Sequence, residues 1–124
     1  AEQVALIAHS MGGLVCRSYL ARHGIRRVER LITIASPHAG TELARIGIGR
    51  NAREMVPGSL WLKDLAAENV PVPTISIRTP HDNYVMPQDN QRLPGALDLE
   101  LDGIGHLALL YAGRTAAELV RACR

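Results

Sequence analysis

The chain has 124 residues, of which 47% are hydrophobic and 21% charged, with a formal net charge of +2. That length allows one domain with a buried core; so small a charge predicts neither a nucleic-acid nor a membrane-surface partner, and no apolar run predicts a transmembrane segment. Aromatic residues amount to 3% and Phe is absent, so aliphatic side chains must fill the interior and single-stranded nucleic acid has no stacking platform.

Residues 4–8, VALIA, form a continuous apolar run, the pattern of a strand covered on both faces in a parallel sheet. Met11, Leu14, Val15, Ser18 and Tyr19 follow at helical spacing, and Gly24 is a natural C-terminal stop. Residues 28–35 read as a second strand ended by Ser36-Pro37. A long connection follows, residues 38–70, within which "PGSLWLKDLAAEN" predicts a short helix capped by Ser59, with Leu62 and Leu65 facing inward. Residues 72–77 give a third strand, because Pro71 and Pro73 are tolerated only near its start. Leu97, Leu99 and Leu101 alternate with acidic residues, which predicts a fourth, half-exposed strand toward a sheet edge. The closing "TAAELVRAC" is a helix pattern with Thr115 and Glu118 in capping-box spacing. This alternation predicts an α/β fold, a mainly parallel sheet with flanking helices in a single domain over residues 1–124. Cys16 and Cys123 are too few to build a metal site; two separate thiols are expected, with a disulfide between them as the alternative.

Chemistry concentrates at Ala8-His9-Ser10-Met11-Gly12, a small-x-Ser-x-Gly pattern at a strand-to-helix junction. Such a turn strains the serine backbone and demands small neighbours, since strand and helix approach closely there; Gly13 extends that tolerance. It raises the Ser10 hydroxyl above the carboxyl ends of the strands, where open α/β sheets bind ligands. It also sets the Met11 N–H at a helix start, as a donor for an oxyanion. A serine nucleophile needs a base oriented by a third group. Asp82 follows the third strand in "RTPHDNYVMP", and His106 follows the fourth through the flexible "DGIGH". Both therefore fall at the same sheet edge as Ser10, in the chain order serine, acid, histidine. Asp89, further along the same loop, is the rival acid. His9 reads as elbow packing, His23 as a solvated helix end, and His81 as pointing away from the partner of Asp82. His38 is placed either at the pocket wall or as a loop histidine satisfying backbone groups. Trp61 and Leu60 are assigned to core packing, with contact to an acyl chain as the alternative.

These residues resemble the α/β-hydrolase superfamily, in particular its bacterial lipase and esterase branch. "AHSMGGLVCRSYL" is similar to the nucleophile elbow and its helix, "ITIASPHAGTELA" to the next strand and loop, "ISIRTPHDNYVMP" to the acid strand and "GIGHLALLY" to the histidine loop. The likeness spans essentially the whole chain, with Ala8 where glycine is commoner. It implies Ser10 as nucleophile, Asp82 as acid, His106 as base and Met11 as an oxyanion donor; the residues themselves place His9 and Gly12 at the elbow and make His38 a candidate for the pocket. The implied activity is cleavage of carboxylic esters, from an ester or lipid substrate, with no metal and no cofactor.

The resemblance also implies strands five to eight of an eight-stranded fold. The chain is thus expected to be the C-terminal part of a longer hydrolase, its N-terminal half and second oxyanion donor lying elsewhere. The edge of the first strand, residues 4–8, would then need an N-terminal segment or a partner chain to cover it. A non-catalytic fragment or interaction module is the alternative; a thioesterase or an acyltransferase would share every residue named.

Overall fold

The structure, a computed structural model, describes residues 2–124. Four strands, β1 (Val4–His9), β2 (Val28–Ile34), β3 (Thr74–Arg78) and β4 (Leu97–Glu100), lie in the order β1-β2-β3-β4, every pair parallel. Helix α1 (Met11–His23) joins β1 to β2. The long connection from β2 to β3 carries a 3-10 helix (Glu42–Ile46), α2 (Arg50–Glu54) and α3 (Leu60–Ala67). A second 3-10 helix (Gln88–Gln91) precedes β4, and α4 (His106–Tyr111) and α5 (Gly113–Ala122) close the chain.

Strand alternation splits the apolar side chains between two faces. On one face Ile32, Ile34 and Ile77 pack with Leu101 and Leu109, joined by Leu119 and Ala122 of α5. On the other, Leu31 and Val28 pack against Leu20 of α1, and Leu14 of α1 meets Leu62 and Leu65 of α3. Leu14, Leu20 and Leu31 are essentially inaccessible, and burying each stabilises the fold by roughly 1.5–3 kcal/mol. α1 stops where expected, at Gly24, whose φ of 71° suits a residue without a Cβ and whose N–H bonds to Leu20 O at 2.9 Å. Ser59 caps α3, its Oγ accepting the Leu62 N–H at 3.2 Å.

Several boundaries differ from the sequence expectation, each for a local reason. β2 ends before Ala35, whose φ of 50° leaves extended space. β3 begins at Thr74, after Pro73, which has no N–H and offers the ladder only its carbonyl, bonded to Leu31 N–H at 3.0 Å. α5 starts ahead of Thr115, so Thr115 and Glu118 form no capping box; Thr115 is buried with an unpartnered hydroxyl. His106 opens a helix where only a loop is legible in the sequence. Both cysteines are free thiols, Cys16 half-buried and Cys123 exposed.

The largest correction concerns β1. The sequence reads as a strand covered on both faces, yet Val4 and Ile7 are 49% and 50% exposed and only Ala8 is buried. The cluster that α4 and α5 build reaches β2 and β3 but includes no β1 residue. β1 is bonded along one edge alone, to β2. β4 is the opposite edge, as expected, but is more than half-exposed, with Leu97 60% exposed and only Leu99 partly buried; it is clamped by the buried Arg78, which donates to both carboxylate oxygens of Asp98 at 2.8 and 2.9 Å. Among the described residues no helix is long and apolar enough to cross a membrane.

Candidate active site

β1 passes into α1 at Ser10, whose φ of 54° is in the left-handed region that non-glycine residues rarely occupy. Such a conformation costs on the order of 1–3 kcal/mol and persists only where its surroundings enforce it. Here the Ser10 N–H continues the β1–β2 ladder, donating to Ile34 O at 2.8 Å, while Ser10 O accepts from the Gly13 N–H at 3.1 Å. The tight approach between helix and sheet falls at Gly13. A Cβ there would lie 2.2 Å from Ser36 Oγ, 2.7 Å from Ser36 Cβ and 3.0 Å from Thr33 Cγ2. At Gly12 an added Cβ would meet only Ala8 Cβ, at an ordinary 3.5 Å. Ala8 therefore fits the first position of the elbow. Met11 is the first residue of α1, and its N–H has no acceptor within the helix.

Asp82 lies in the loop that leaves β3 and is 1% exposed. Its Oδ1 accepts the N–H groups of Tyr84 and Val85 at 2.7 and 2.6 Å, and its Oδ2 faces His106 Nδ1 at 2.6 Å. Burial pushes the carboxyl pKa up, but the bonds from His106, Val85 and Tyr84 outweigh it and hold Asp82 below the usual carboxylate range. The loop is braced by Gln91, fully buried, whose amide nitrogen donates to Thr79 O at 2.8 Å and Gln88 O at 3.0 Å. Its amide oxygen accepts the Thr79 N–H at 3.2 Å. The Thr79 hydroxyl donates to Ile104 O at 2.5 Å, tying the acid loop to the segment that carries His106.

His106 is 3% exposed, and its Nε2 lies 3.1 Å from Ser10 Oγ. With Nδ1–H donated to Asp82, Nε2 is left as an acceptor for the serine proton. Two rings pack beside the imidazole, those of His9 and Tyr84, each with centroids 4.9 Å away. His9 Nε2 donates to His106 O at 3.4 Å, and burial, foremost, lowers the His9 pKa. Ser10, Asp82 and His106, remote in sequence, thus form one hydrogen-bonded line, able to move a proton off the hydroxyl.

The other sequence candidates separate. His38, 5% exposed, accepts from Arg17 through Nδ1 at 3.2 Å and donates from Nε2 to Thr33 Oγ1 at 3.0 Å. Burial, with the Arg17 charge, lowers its pKa to about 3, so it is neutral. Its partners are Arg17 and Thr33, and neither belongs to the Ser10–His106–Asp82 line. Asp89 is exposed and pairs with Arg92 at 3.4 Å; His81 is exposed. Trp61 packs beside Leu14, Leu62 and Leu65, whereas Leu60 is 79% exposed. Sequence reasoning passed over Gln91, Tyr84, Thr79 and Arg17. None carries a local signal, because each acts through partners that only folding brings near.

The sequence profile of the family described as "PGAP1-like alpha/beta domain" matches residues 1–101. No curated protein sequence matches the chain. Among solved structures, a lipase from Bacillus licheniformis superposes with a TM-score of 0.84 at 20% identity over 98% of this chain. Lipase B of Aspergillus fumigatus gives 0.72 at 18% identity over 88%, and an esterase from a Rhodococcus species 0.64 at 16% over 98%. The shared architecture is the α/β-hydrolase fold. The chain spans 65%, 34% and 64% of those three proteins respectively.

Proposed function

Because the chain belongs to the PGAP1-like alpha/beta domain family, we propose that it is the nucleophile-bearing part of a serine hydrolase that cleaves carboxylic esters through an acyl-enzyme. The observation that carries this reading is the 3.1 Å approach of His106 Nε2 to Ser10 Oγ, with His106 Nδ1 held by the buried Asp82. The lipase and esterase names of the solved structures of like fold support the ester class.

In this mechanism His106 Nε2 takes the Ser10 proton as Oγ attacks the ester carbonyl, and the resulting oxyanion accepts the Met11 N–H. The imidazolium then gives that proton to the leaving alcohol as the ester C–O bond breaks. Water, deprotonated by the same nitrogen, attacks the acyl-serine and releases the acid, and the proton returns to Ser10. Asp82 fixes the tautomer with its proton on Nδ1 and stabilises the imidazolium. Its two backbone donors, from Tyr84 and Val85, keep the carboxylate aimed while the imidazole changes charge. Transfer of the acyl group to a thiol or alcohol would use the same atoms.

The open edge of β1 adds a structural element to the proposal. Half-exposed Val4 and Ile7, an edge bonded on one side only and a chain that spans 65% of the bacterial lipase all support a further segment or partner chain seated there. A second oxyanion donor would come from the same covering segment. A fluorophosphonate probe tests the chemistry. Labelling should map to Ser10, vanish in Ser10→Ala and weaken in His106→Ala. A folded chain that never labels would instead support a non-catalytic interaction module.

A further inference from the structure

Arg17 is the most unusual charge in the molecule. It sits on the inner face of α1, 5% exposed, and among the described residues no carboxylate pairs with it. Burial lowers its pKa and no acid opposes that effect. One guanidinium nitrogen donates to His38 Nδ1 at 3.2 Å and another to Leu65 O at 3.1 Å, in the last turn of α3. The end of α3 supplies at most a fraction of an elementary charge, and His38 is neutral. Two of the five N–H donors of the guanidinium are thereby engaged. Buried charges are ordinarily paired, so Arg17 lacks a counter-anion.

Arg17 also borders a cavity of about 340 Å³, between α1, α3 and the segment leading to β4. Lys63 and Arg92 stand at this cavity with one acid, Glu68, against them. Arg92 shares its charge with Asp89 and Asp98, each at 3.4 Å. The rest of the wall is mainly apolar, with Leu62, Val70 and Leu93 among its side chains. We propose that this cavity binds an amphiphilic carboxylate: the head group pairs with Arg17 and Lys63, and a short hydrocarbon body lies against Leu62, Val70 and Leu93. The apolar wall favours such a ligand over inorganic phosphate, which shares the charge but would leave that surface unused. The site is separate from the Ser10–His106–Asp82 line and does not depend on the ester-hydrolase reading.

The test is ligand-induced thermal stabilisation at fixed ionic strength, with sodium butyrate, sodium phosphate and sodium chloride as probes, since a ligand bound only by the native state stabilises it by RT ln(1 + L/Kd), with L the free ligand concentration, and so raises Tm once L exceeds Kd. Butyrate should raise Tm, the shift growing with the logarithm of its concentration above Kd, phosphate should raise it less and chloride not at all. Lys63→Ala, on the exposed rim, should weaken the apparent butyrate affinity about three- to tenfold, as removal of one partner from a charge pair does. Arg17→Gln should abolish the effect. If Arg17→Gln does not fold, Lys63→Ala and Leu93→Asp decide, the latter placing a like charge in the wall. Equal shifts with all three salts, or a butyrate shift untouched by Lys63→Ala and Leu93→Asp, would overturn the proposal. A phosphate response larger than that of butyrate would overturn the carboxylate assignment.

Discussion

Asp82 Oδ2 and His106 Nδ1 are 2.6 Å apart, although one belongs to the loop after β3 and the other opens α4 beyond β4. The remaining carboxylate oxygen is consumed by two backbone N–H groups, so Asp82 has one orientation; in the proposed mechanism it holds the imidazole proton on the side away from Ser10.

Asp82→Asn tests this orientation. The amide oxygen can still accept from Tyr84 and Val85, so the fold should survive. The amide NH₂ then faces His106 Nδ1 and forces the imidazole proton onto Nε2, toward Ser10, where it blocks the base. The rate of fluorophosphonate labelling should fall by roughly 10³–10⁴. An unchanged rate would remove Asp82 from the mechanism.

Stability should decline with acid well before the carboxylates titrate. His38 is buried neutral with a pKa of about 3, against 6.5 when unfolded. Between those values the unfolded chain binds a proton that the native chain refuses, so stability is full above pH 6.5 and falls by up to about 1.4 kcal/mol per pH unit below it. His9, also lowered, acts in the same direction. Asp82, lowered, adds a further loss only as pH drops below its unfolded value of 3.8 and through its native one. Urea unfolding of wild type and His38→Gln at pH 7, 5.5 and 4.5 gives the check. The variant should lose about one proton's worth of slope, and an identical slope would contradict a neutral His38.

Gly13→Ala should destabilise by about 1–3 kcal/mol, the range for overpacking a close contact, because the new methyl meets Ser36 and Thr33. Gly12→Ala should cost far less. Adding Ser36→Gly to Gly13→Ala should recover part of the loss, since it removes the nearest side chain. Thermal unfolding of the three variants measures it; equal costs at positions 12 and 13 would refute the assignment of the tight approach.

The unpaired β1 edge should make the isolated chain self-associate. Light scattering after size exclusion should give a mass above the monomer, and Ile7→Lys should lower it. A wild-type monomer with a sharp, cooperative unfolding transition would show that the edge needs no cover.

Hydrophobic alternation and the glycine-serine turn are local properties, and the sequence alone sufficed for them. It foretold four strands, the start and stop of α1 and the Ser59 cap of α3, and it singled out Ser10, Asp82 and His106, which the fold brings within hydrogen-bonding distance of one another. Tertiary structure decided matters that depend on which surfaces meet. It left Ile7 half-exposed in a run that reads as buried, because the cluster that α4 and α5 build over β2 and β3 includes no β1 residue. It made Thr115 a buried residue instead of a cap, and ended β2 at Ile34 by turning Ala35 to a positive φ. It put the tightest approach of helix to sheet at Gly13 and left Gly12 room for a methyl group. Above all, the 3.1 Å between Ser10 and His106 spans 96 residues of chain. Only the parallel register of four strands, with Gln91 and Thr79 bracing the loops, brings that hydroxyl and that imidazole into contact.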